Sequence, residues 1–385
     1  MQPLFISLFI FAAYIYLRAV RPLHISRWWK AAAALLLALL ALRYYLLRLA
    51  GGSTPLAPHV PAWALNASAV VFLAFLIFFC GVFGLHLIRM LAQRRVAAWR
   101  RLTPEAQQSL CNKAHLALLP VALLLGGLSV LQGTSLPRIR HESLAFPSRE
   151  PIRIALISDL HISRARSREF VQAIVDMTNA QQPDLIAIVG DFVDGSPEEC
   201  ADRLEPLADL RAPLGVFGVP GNHDYYSGYG RWRPVFEKCG VRMLDNEHVL
   251  LERPGIVLAG VTDETASKKE LEPPLPEKAL RGAPAGMPVV LLAHRPIVAR
   301  DAEPTGVRLQ LSGHLHGGLV WGLGSLVAAL DAGYRAGLYQ VGRMQLYVSQ
   351  GAGNSTRTPM RLGVPPEIVI LSLIPQAGLT HLNDK

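Results

Sequence analysis

Cysteine is scarce in this chain: four in 385 residues, and no two stand in a C-x-x-C spacing. That excludes zinc-ribbon and zinc-finger folds and a disulfide-dense secreted scaffold. Cys80 and Cys111 fall in the more apolar half of the chain, so only Cys200 and Cys239 share the other half, where an oxidising compartment would leave them the option of pairing. A basic stripe with interleaved aromatic residues is also missing, so the net charge of +9 does not read as a nucleic-acid surface. No internal repeat is visible, and the alanine/leucine run within residues 31–42 is the one low-complexity tract. Beyond about residue 140 no apolar run long enough to cross a bilayer recurs.

What is present is unevenly spread. With 51% hydrophobic residues and a mean hydropathy of +0.28, the chain is too apolar for an ordinary water-soluble enzyme of its size. The excess lies in residues 3–17, 31–49, 64–88 and 115–132, most of them near the roughly 20 residues that a helix needs to cross about 30 Å of hydrocarbon. The first of these, LFISLFIFAAYIYL, has no positive residue before it and no small-residue cleavage pattern after it, and is expected to be a retained span. The second carries Arg43 and Arg48 beside Tyr44 and Tyr45, which places that end at the headgroups, where arginines can snorkel. The expectation is a bundle of about four transmembrane helices over residues 1–135, a linker over 136–150, an α/β domain over 151–375 and a tail over 376–385.

Charge gives this arrangement a direction. Arg18, Arg21, Arg27 and Lys30 separate the first two segments, and Arg89, Arg94, Arg95, Arg100, Arg101 and Lys113 separate the last two, whereas the loop GGSTPLAPHVP carries no Lys or Arg. By the positive-inside rule the basic loops are cytoplasmic and the C-terminal half lies outside, in a multi-pass protein of the cell (inner) membrane. Arg138, Arg140 and Arg149 pull the other way, and if the second segment does not span, the orientation reverses. Those loops account for part of the net charge, and membrane lipids are their expected partners.

The C-terminal half has a different rhythm. IRIALIS, DLIAIVG, GVFGVP, IVLAGV (256–261), VVLLA and RLQLS are short branched apolar runs that read as buried strands, and REFVQAIVDMTNAQ reads as a helix. Such runs alternating with helices mean a sheet covered on its faces. Polar clusters close five of the runs: Asp159-Leu160-His161, Gly190-Asp191, Gly221-Asn222-His223-Asp224, the lone His294, and Gly313-His314-Leu315-His316. Strand ends of α/β sheets gather distant side chains into one crevice, and the adjacent glycines permit tight turns there. Carboxylates and imidazoles with no thiolate nearby suit divalent cations of Lewis-acid character. One aspartate can bridge two such ions about 3.5–4 Å apart, and the nucleophile is then a metal-bound hydroxide, with no serine or cysteine needed.

The order D-x-H, G-D, G-N-H-D, H, G-H-x-H resembles the signature of the calcineurin-like metallophosphoesterases and covers residues from about 150 to 373. The resemblance implies a sandwich of two mixed sheets flanked by helices. It implies that Asp159, His161 and His316 hold one metal, that Asp191 bridges, and that Asn222, His294 and His314 hold the other, the two ions being Mn, Fe or Zn. It gives His223 a catalytic part as general acid or stabiliser of transition-state charge, with Asp224 orienting it. GDFVDGSPEE, LRAPLGVFGVPGNHDYYSG, LLAHRP, SGHLHGG and MRLGVPPEIVIL resemble the membrane-associated branch called YkuE-like or YaeI-like, related to enzymes that split UDP-diacylglucosamine in lipid A synthesis. Leu315 and Leu319 depart from the GHTHGGQ expected of that branch, and GNSTRTP before MRLG is also unusual.

The function expected is therefore metal-dependent hydrolysis of a phosphate ester or pyrophosphate on a lipid-linked or membrane-proximal substrate. Two alternatives stand beside it: a membrane sensor or scaffold that binds a phospholigand without turnover, and a cytoplasmic-face UDP-diacylglucosamine pyrophosphohydrolase. Arg164, Arg166 and Arg168 are candidates for a substrate phosphate, and Tyr225, Tyr226, Tyr229 and Trp232 for an apolar lip. His115, His141 and His248 lie outside any ligand pattern and are expected to be surface or packing residues. No nucleic acid is expected as a partner, and the sequence names no protein partner.

Overall fold

A computed structural model describes residues 2–375, apart from 55–56, 323, 325–328, 330–332 and 355–357. The expected tail over 376–385, and part of GNSTRTP, lie outside the described residues. The chain divides into two units, one formed by residues 1–51 and 60–131 and the other by residues 52–59 and 132–385.

In the first unit two helices, Ala62–Arg95 and Pro104–Thr134, are long and apolar enough to cross a membrane. Among the described residues a third crossing arises if the helices Arg27–Ala41 and Arg43–Leu49, bent by 64° at their junction, act as one. The expectation of about four spans is corrected accordingly. The first apolar segment gives a shorter helix, Ile6–Val20. The second breaks beside Arg43, which does not snorkel: it is 4% exposed, donates from Nε and Nη2 to Ser68 Oγ at 3.3 and 3.2 Å, and lies 5.1 Å from the Phe72 ring. A guanidinium in an apolar stretch needs partners, and the break lets it reach them.

The second unit contains two six-stranded sheets. The first has the order β1 (Arg138–Phe146), β12 (Glu367–Pro375), β2 (Ile152–Ile157), β3 (Leu185–Val189), β4 (Val216–Val219), β5 (Arg242–Met243). The second runs β10 (Gly337–Val341), β11 (Met344–Val348), β9 (Leu309–Ser312), β8 (Val289–Leu292), β7 (Ile256–Gly260), β6 (Glu247–Leu251). Both are mixed: β12 is antiparallel to β2, and β6 to β7, whereas β2, β3 and β4 are mutually parallel, as are β7, β8 and β9. Side chains alternate along each strand. Ile154, Leu156, Leu185 and Ala187 therefore enter one buried cluster with Leu258, Val290, Leu292 and Leu311 of the other sheet. Ala155, Ile157, Ile186 and Ile188 face the opposite way, with Val171, Ile174 and Val175 of the helix Arg168–Asn179. This is why these strands read as unbroken apolar runs.

The expected linker over 136–150 is largely strand. Residues 138–146 pair in parallel with 367–375 along their whole length. The segment is polar enough to read as a tether because it is an edge strand, with Arg140 Nη2 2.6 Å from Glu142 on its open side. Residues 52–59 also pack onto this unit, where Ser53 N donates to Glu199 Oε1 at 2.9 Å and His59 Nε2 lies 2.8 Å from the same oxygen. Cys200 and Cys239 do not pair: both are free and buried, their thiols turned to backbone carbonyls of Ile162 and Leu204.

Leu156→Ala, which empties part of the space between the sheets, is expected to cost roughly 2–5 kcal/mol in equilibrium urea denaturation. Leu250→Ala, on the edge strand β6 with 46% of its surface exposed, is expected to change stability by less than about 0.5 kcal/mol.

Candidate metal centre

Parallel neighbours end on the same side of a sheet, so β2, β3 and β4 deliver Asp159 with His161, Asp191, and Asn222 with His223 to one edge. β8 and β9 deliver His294, and His314 with His316, from the other sheet. The loops remain laced beyond the strands: Asp159 N donates to Gly190 O and His161 N to Asp191 O, each at 3.0 Å. Among the bonds that join the sheets are those from His294 Nδ1 to Val189 O at 2.9 Å and from His314 N to Asp159 Oδ2 at 3.1 Å.

All seven expected ligands line this edge, and six of them form two clusters. Asp159, His161 and His316 make one and Asp191, His294 and His314 the other, the ligand atoms of each lying within 4.8 Å of one another. Asp191 Oδ2 lies 3.7 Å from His161 Nε2 and 3.3 Å from His294 Nε2, so it faces one imidazole of each cluster. His316 Nε2 is 3.5 Å from Asp159 Oδ1 and 3.2 Å from His161 Nε2. Asn222 Oδ1 is buried without a hydrogen-bond partner, and so is His294 Nε2. Because buried polar atoms are nearly always satisfied, these orphaned atoms at a carboxylate-rich edge fit two divalent cations. His294 Nδ1 donates to Val189 O, which orients the ring and leaves Nε2 as the nitrogen that a cation would take in exchange for a proton.

The backbone is strained to achieve this. Among the described residues nine non-glycines have positive φ, and five of them are expected ligands: Asp159 (56°), His161 (47°), Asp191 (54°), His314 (74°) and His316 (48°). Each costs of order 1–3 kcal/mol, and such strain concentrates at functional sites. Two of the motif glycines are needed for space. A Cβ on Gly221 would stand 2.2 Å from Asp191 Oδ1, and one on Gly313 2.5 Å from Asp159 Oδ2.

Asp194, three residues after Asp191, is the main functional residue that the sequence reading missed. Fully buried, it accepts at Oδ1 from His223 Nδ1 at 2.5 Å and lies 3.2 Å from His161 Nδ1. Burial alone would raise its pKa, but the His161 and His223 imidazoles outweigh that and hold it far below the usual carboxylate range. The second acidic residue of GDFVD was the available signal. The role expected of Asp224 is corrected: its two oxygens accept from Val193 N at 3.1 Å and Gly221 N at 2.8 Å, so it shapes the loop, and His223 is oriented by Asp194. A second missed residue is Arg361, buried, whose Nη2 lies 3.1 Å from His316 Nδ1. The same Nη2 donates to the carbonyls of Gln350 and Gly353, both at 2.7 Å, so it ties the loop after β11 beside the His316 ring.

The neighbouring candidates separate in the same way. Arg166 is buried, donates to Gly133 O and Asn354 O at 3.3 Å and stacks on Phe170, and Arg168 pairs with Glu205, so neither serves a phosphate in this arrangement; Arg164 is exposed. Tyr225, Tyr229 and Trp232 are core residues, and only Tyr226 is exposed, its ring centre 5.7 Å from that of His223. Leu315 is buried, and Leu319 takes a left-handed φ of 64°. His248 Nδ1 donates to Ala279 O at 2.7 Å, a packing role as expected.

The imidazoles titrate apart. Burial lowers the His316 pKa to about 3, leaving its lone pair available. For His294 burial also acts downward, but Asp191 and then Asp159 overcome it and raise the value to about 10. For His223, Asp191 and Asp194 overcome burial and bring it to about 9.

A two-sheet sandwich whose strand ends converge on paired aspartate and histidine clusters defines a class of dinuclear metallohydrolase. The calcineurin-like phosphoesterase family model matches residues 152–318. A "Transmembrane protein with metallophosphoesterase domain" from Bos taurus is 31% identical over 374 residues, 90% of this chain and 80% of that protein. An "Uncharacterized metallophosphoesterase" of Helicobacter pylori (strain J99 / ATCC 700824) is 36% identical over 248 residues, 64% of this chain and 66% of that one. "Uncharacterized metallophosphoesterase YkuE" of Bacillus subtilis is 30% identical over 232 residues, 57% of this chain and 78% of that one. The chain belongs to the calcineurin-like metallophosphoesterase family, and it is a metal-dependent phosphoric ester hydrolase.

Because His294 holds a proton below pH of about 10 in the metal-free site, a cation must displace it. Mn²⁺ titrations in buffers of different ionisation enthalpy are expected to show about one proton released at pH 7, with affinity rising roughly tenfold per pH unit up to pH 9. Gly221→Ala is expected to weaken Mn²⁺ binding at least tenfold by pushing Asp191 aside, which calorimetry would measure.

Proposed function

We propose that this protein is a membrane-anchored phosphohydrolase that cleaves a phosphate ester or pyrophosphate in a lipid-linked or membrane-proximal substrate. The observation that carries the reading is the position of Asp191 Oδ2, which faces His161 on one side and His294 on the other, beside the His223–Asp194 pair. Asp159, His161 and His316 would hold one ion and Asn222, His294 and His314 the other, with Asp191 shared. Mn, Fe or Zn bound there would polarise the phosphoryl oxygens and lower the pKa of water.

The chain's own groups do the rest. Asp194 occupies His223 Nδ1, which leaves Nε2 as the nitrogen that carries a proton toward the leaving oxygen. The raised pKa keeps that proton in place at neutral pH. Tyr226, exposed beside His223, offers an apolar edge for a substrate tail.

Anchoring supports the substrate class. Two or three spans confine the site to the membrane plane, where a lipid-linked phosphate gains effective concentration without new contacts. The proposed orientation places the catalytic unit outside the cytoplasm. The helices Ala62–Arg95 and Pro104–Thr134 form a hairpin that leaves from and returns to the catalytic unit, and Arg94, Arg95, Arg100 and Arg101 lie at its turn.

The test uses the full chain with Mn²⁺ and two substrates, a nitrophenyl and an alkyl phosphodiester. Asp191→Ala is expected to remove turnover of both. His223→Ala is expected to lower the alkyl rate by about 10²–10⁴ and the nitrophenyl rate much less, because a good leaving group needs no proton. The wild-type alkyl rate should fall above pH of about 9 as His223 deprotonates, and Asp194→Asn should move that limb to lower pH. Full activity in both Asp191→Ala and His223→Ala would reject the reading. A C-terminal alkaline phosphatase fusion is expected to be active in cells, and an inactive fusion would overturn the orientation.

A further inference from the structure

Residues 1–51 and 60–131 carry twelve arginines and lysines against one acidic residue, Glu105. Two of these arginines, Arg18 and Arg89, line a small polar cavity among the helices with His86, Gln108, Cys111 and His115. Arg89 Nη1 donates to Gln108 Oε1 at 3.2 Å, Arg18 lies 5.9 Å from the Tyr14 ring, and Tyr14 Oη bonds His86 Nδ1 at 2.5 Å. None of these partners is a carboxylate. Glu105 borders an adjoining recess with Arg89, yet no ion pair joins them among the described residues. Arg18 is exposed and Arg89 half-buried, and among the described residues neither has a carboxylate partner, so two guanidinium groups at one end of the helix bundle are open to an anion.

The second half of the feature is apolar. Next to the polar cavity lies one of about 350 Å³, walled by Ile15, Leu37, Phe75, Phe78 and Leu119 among others. That is within the range of about 300–1,000 Å³ typical of sites for small ligands. His115 lines both cavities. It is only 7% exposed, and its Nδ1 is buried without a hydrogen-bond partner. A buried imidazole nitrogen at the seam between a cationic and an apolar cavity lacks the polar group that would satisfy it.

We propose that the helical unit binds an anionic phospholipid. One acyl chain fills the apolar cavity, the phosphate lies between Arg18 and Arg89, and His115 Nδ1 bonds to an oxygen at the junction of head and tail. The occupant must be both anionic and apolar, because the two cavities adjoin and share a residue. Free phosphate satisfies only the first half and a neutral lipid only the second. Arg89 lies about 40 Å along the helix that starts at Ala62, at 1.5 Å per residue, so this lipid sits at the far end of that helix from the junction with the catalytic unit. It orders the helices and is not the hydrolysed substrate, so the inference stands independently of the reaction proposed above.

Native mass spectrometry of the full-length protein, released from detergent with equimolar dioleoyl phosphatidylglycerol and dioleoyl phosphatidylcholine, tests this. Wild type is expected to retain phosphatidylglycerol over phosphatidylcholine by on the order of tenfold. The double variant Arg18→Gln/Arg89→Gln should retain the two equally, and Ala33→Trp, which fills the apolar cavity, should lose both, with helix content by circular dichroism as the folding control. Equal retention of both lipids by wild type, an unchanged preference in the folded double variant, or displacement of the lipid by inorganic phosphate would overturn the proposal. If the double variant does not fold, the wild-type ratio and the Ala33→Trp result decide.

Discussion

The catalytic unit is organised around a concentration of buried negative charge where two sheets meet. Asp159, Asp191 and Asp194 are each at most 2% exposed, close to the imidazoles of His161, His223, His294 and His316. Carboxylates cannot be taken out of water singly; they are tolerated because positive charge is brought to them from the same edge. Without metal that charge is the proton on His294 and on His223; with metal it is the cations themselves. Much else follows from this exchange. The left-handed backbone at five ligands, the glycines with no room for a Cβ, and the bonds that tie β3 to His294 and β9 to Asp159 all hold the carboxylates within reach of the imidazoles.

The two units divide the chain's charge as sharply as its hydropathy. All of the excess positive charge belongs to the helical unit, whereas the rest of the chain has 26 basic against 28 acidic residues. The basic character of the whole protein therefore says nothing about what the active site binds, and the site itself attracts cations. Arginine serves three separate ends here. At the turn of the long helical hairpin it is clustered, at Arg43 it is buried against Ser68 and Phe72, and at Arg361 it ties together backbone carbonyls beside a candidate ligand histidine.

The catalytic edge was legible in the sequence because it is built from local signals: an apolar run, then a polar cluster, repeated on parallel neighbours. Each such pair fixes where a side chain emerges without knowledge of the rest of the fold, and the six strands read from the sequence all appear. What escaped depends on long-range contacts. Asp194 and Asp224 are both acidic residues near His223, and only the path of the loops decides that Asp194 meets the imidazole while Asp224 meets backbone N–H groups. Tyr225, Tyr229 and Trp232 look like a lip in a one-dimensional view, but two short helices turn them into the core. The count of spans failed at Arg43, since a hydropathy window averages over the residue at which the helix breaks. β1 was hidden because its partner lies more than two hundred residues away and its own composition is that of a tether.

That last pairing bears on how the protein is made. β12 lies between β1 and β2, so the first two strands of the domain to leave the ribosome do not touch each other and must await the last one. At about 5–20 residues per second, the interval between the emergence of β2 and of β12 is roughly 10–40 s. Throughout that time the edge of β2 that β12 will cover is open. An unpaired apolar strand edge of this kind is a site for wrong pairing until the last strand fills it.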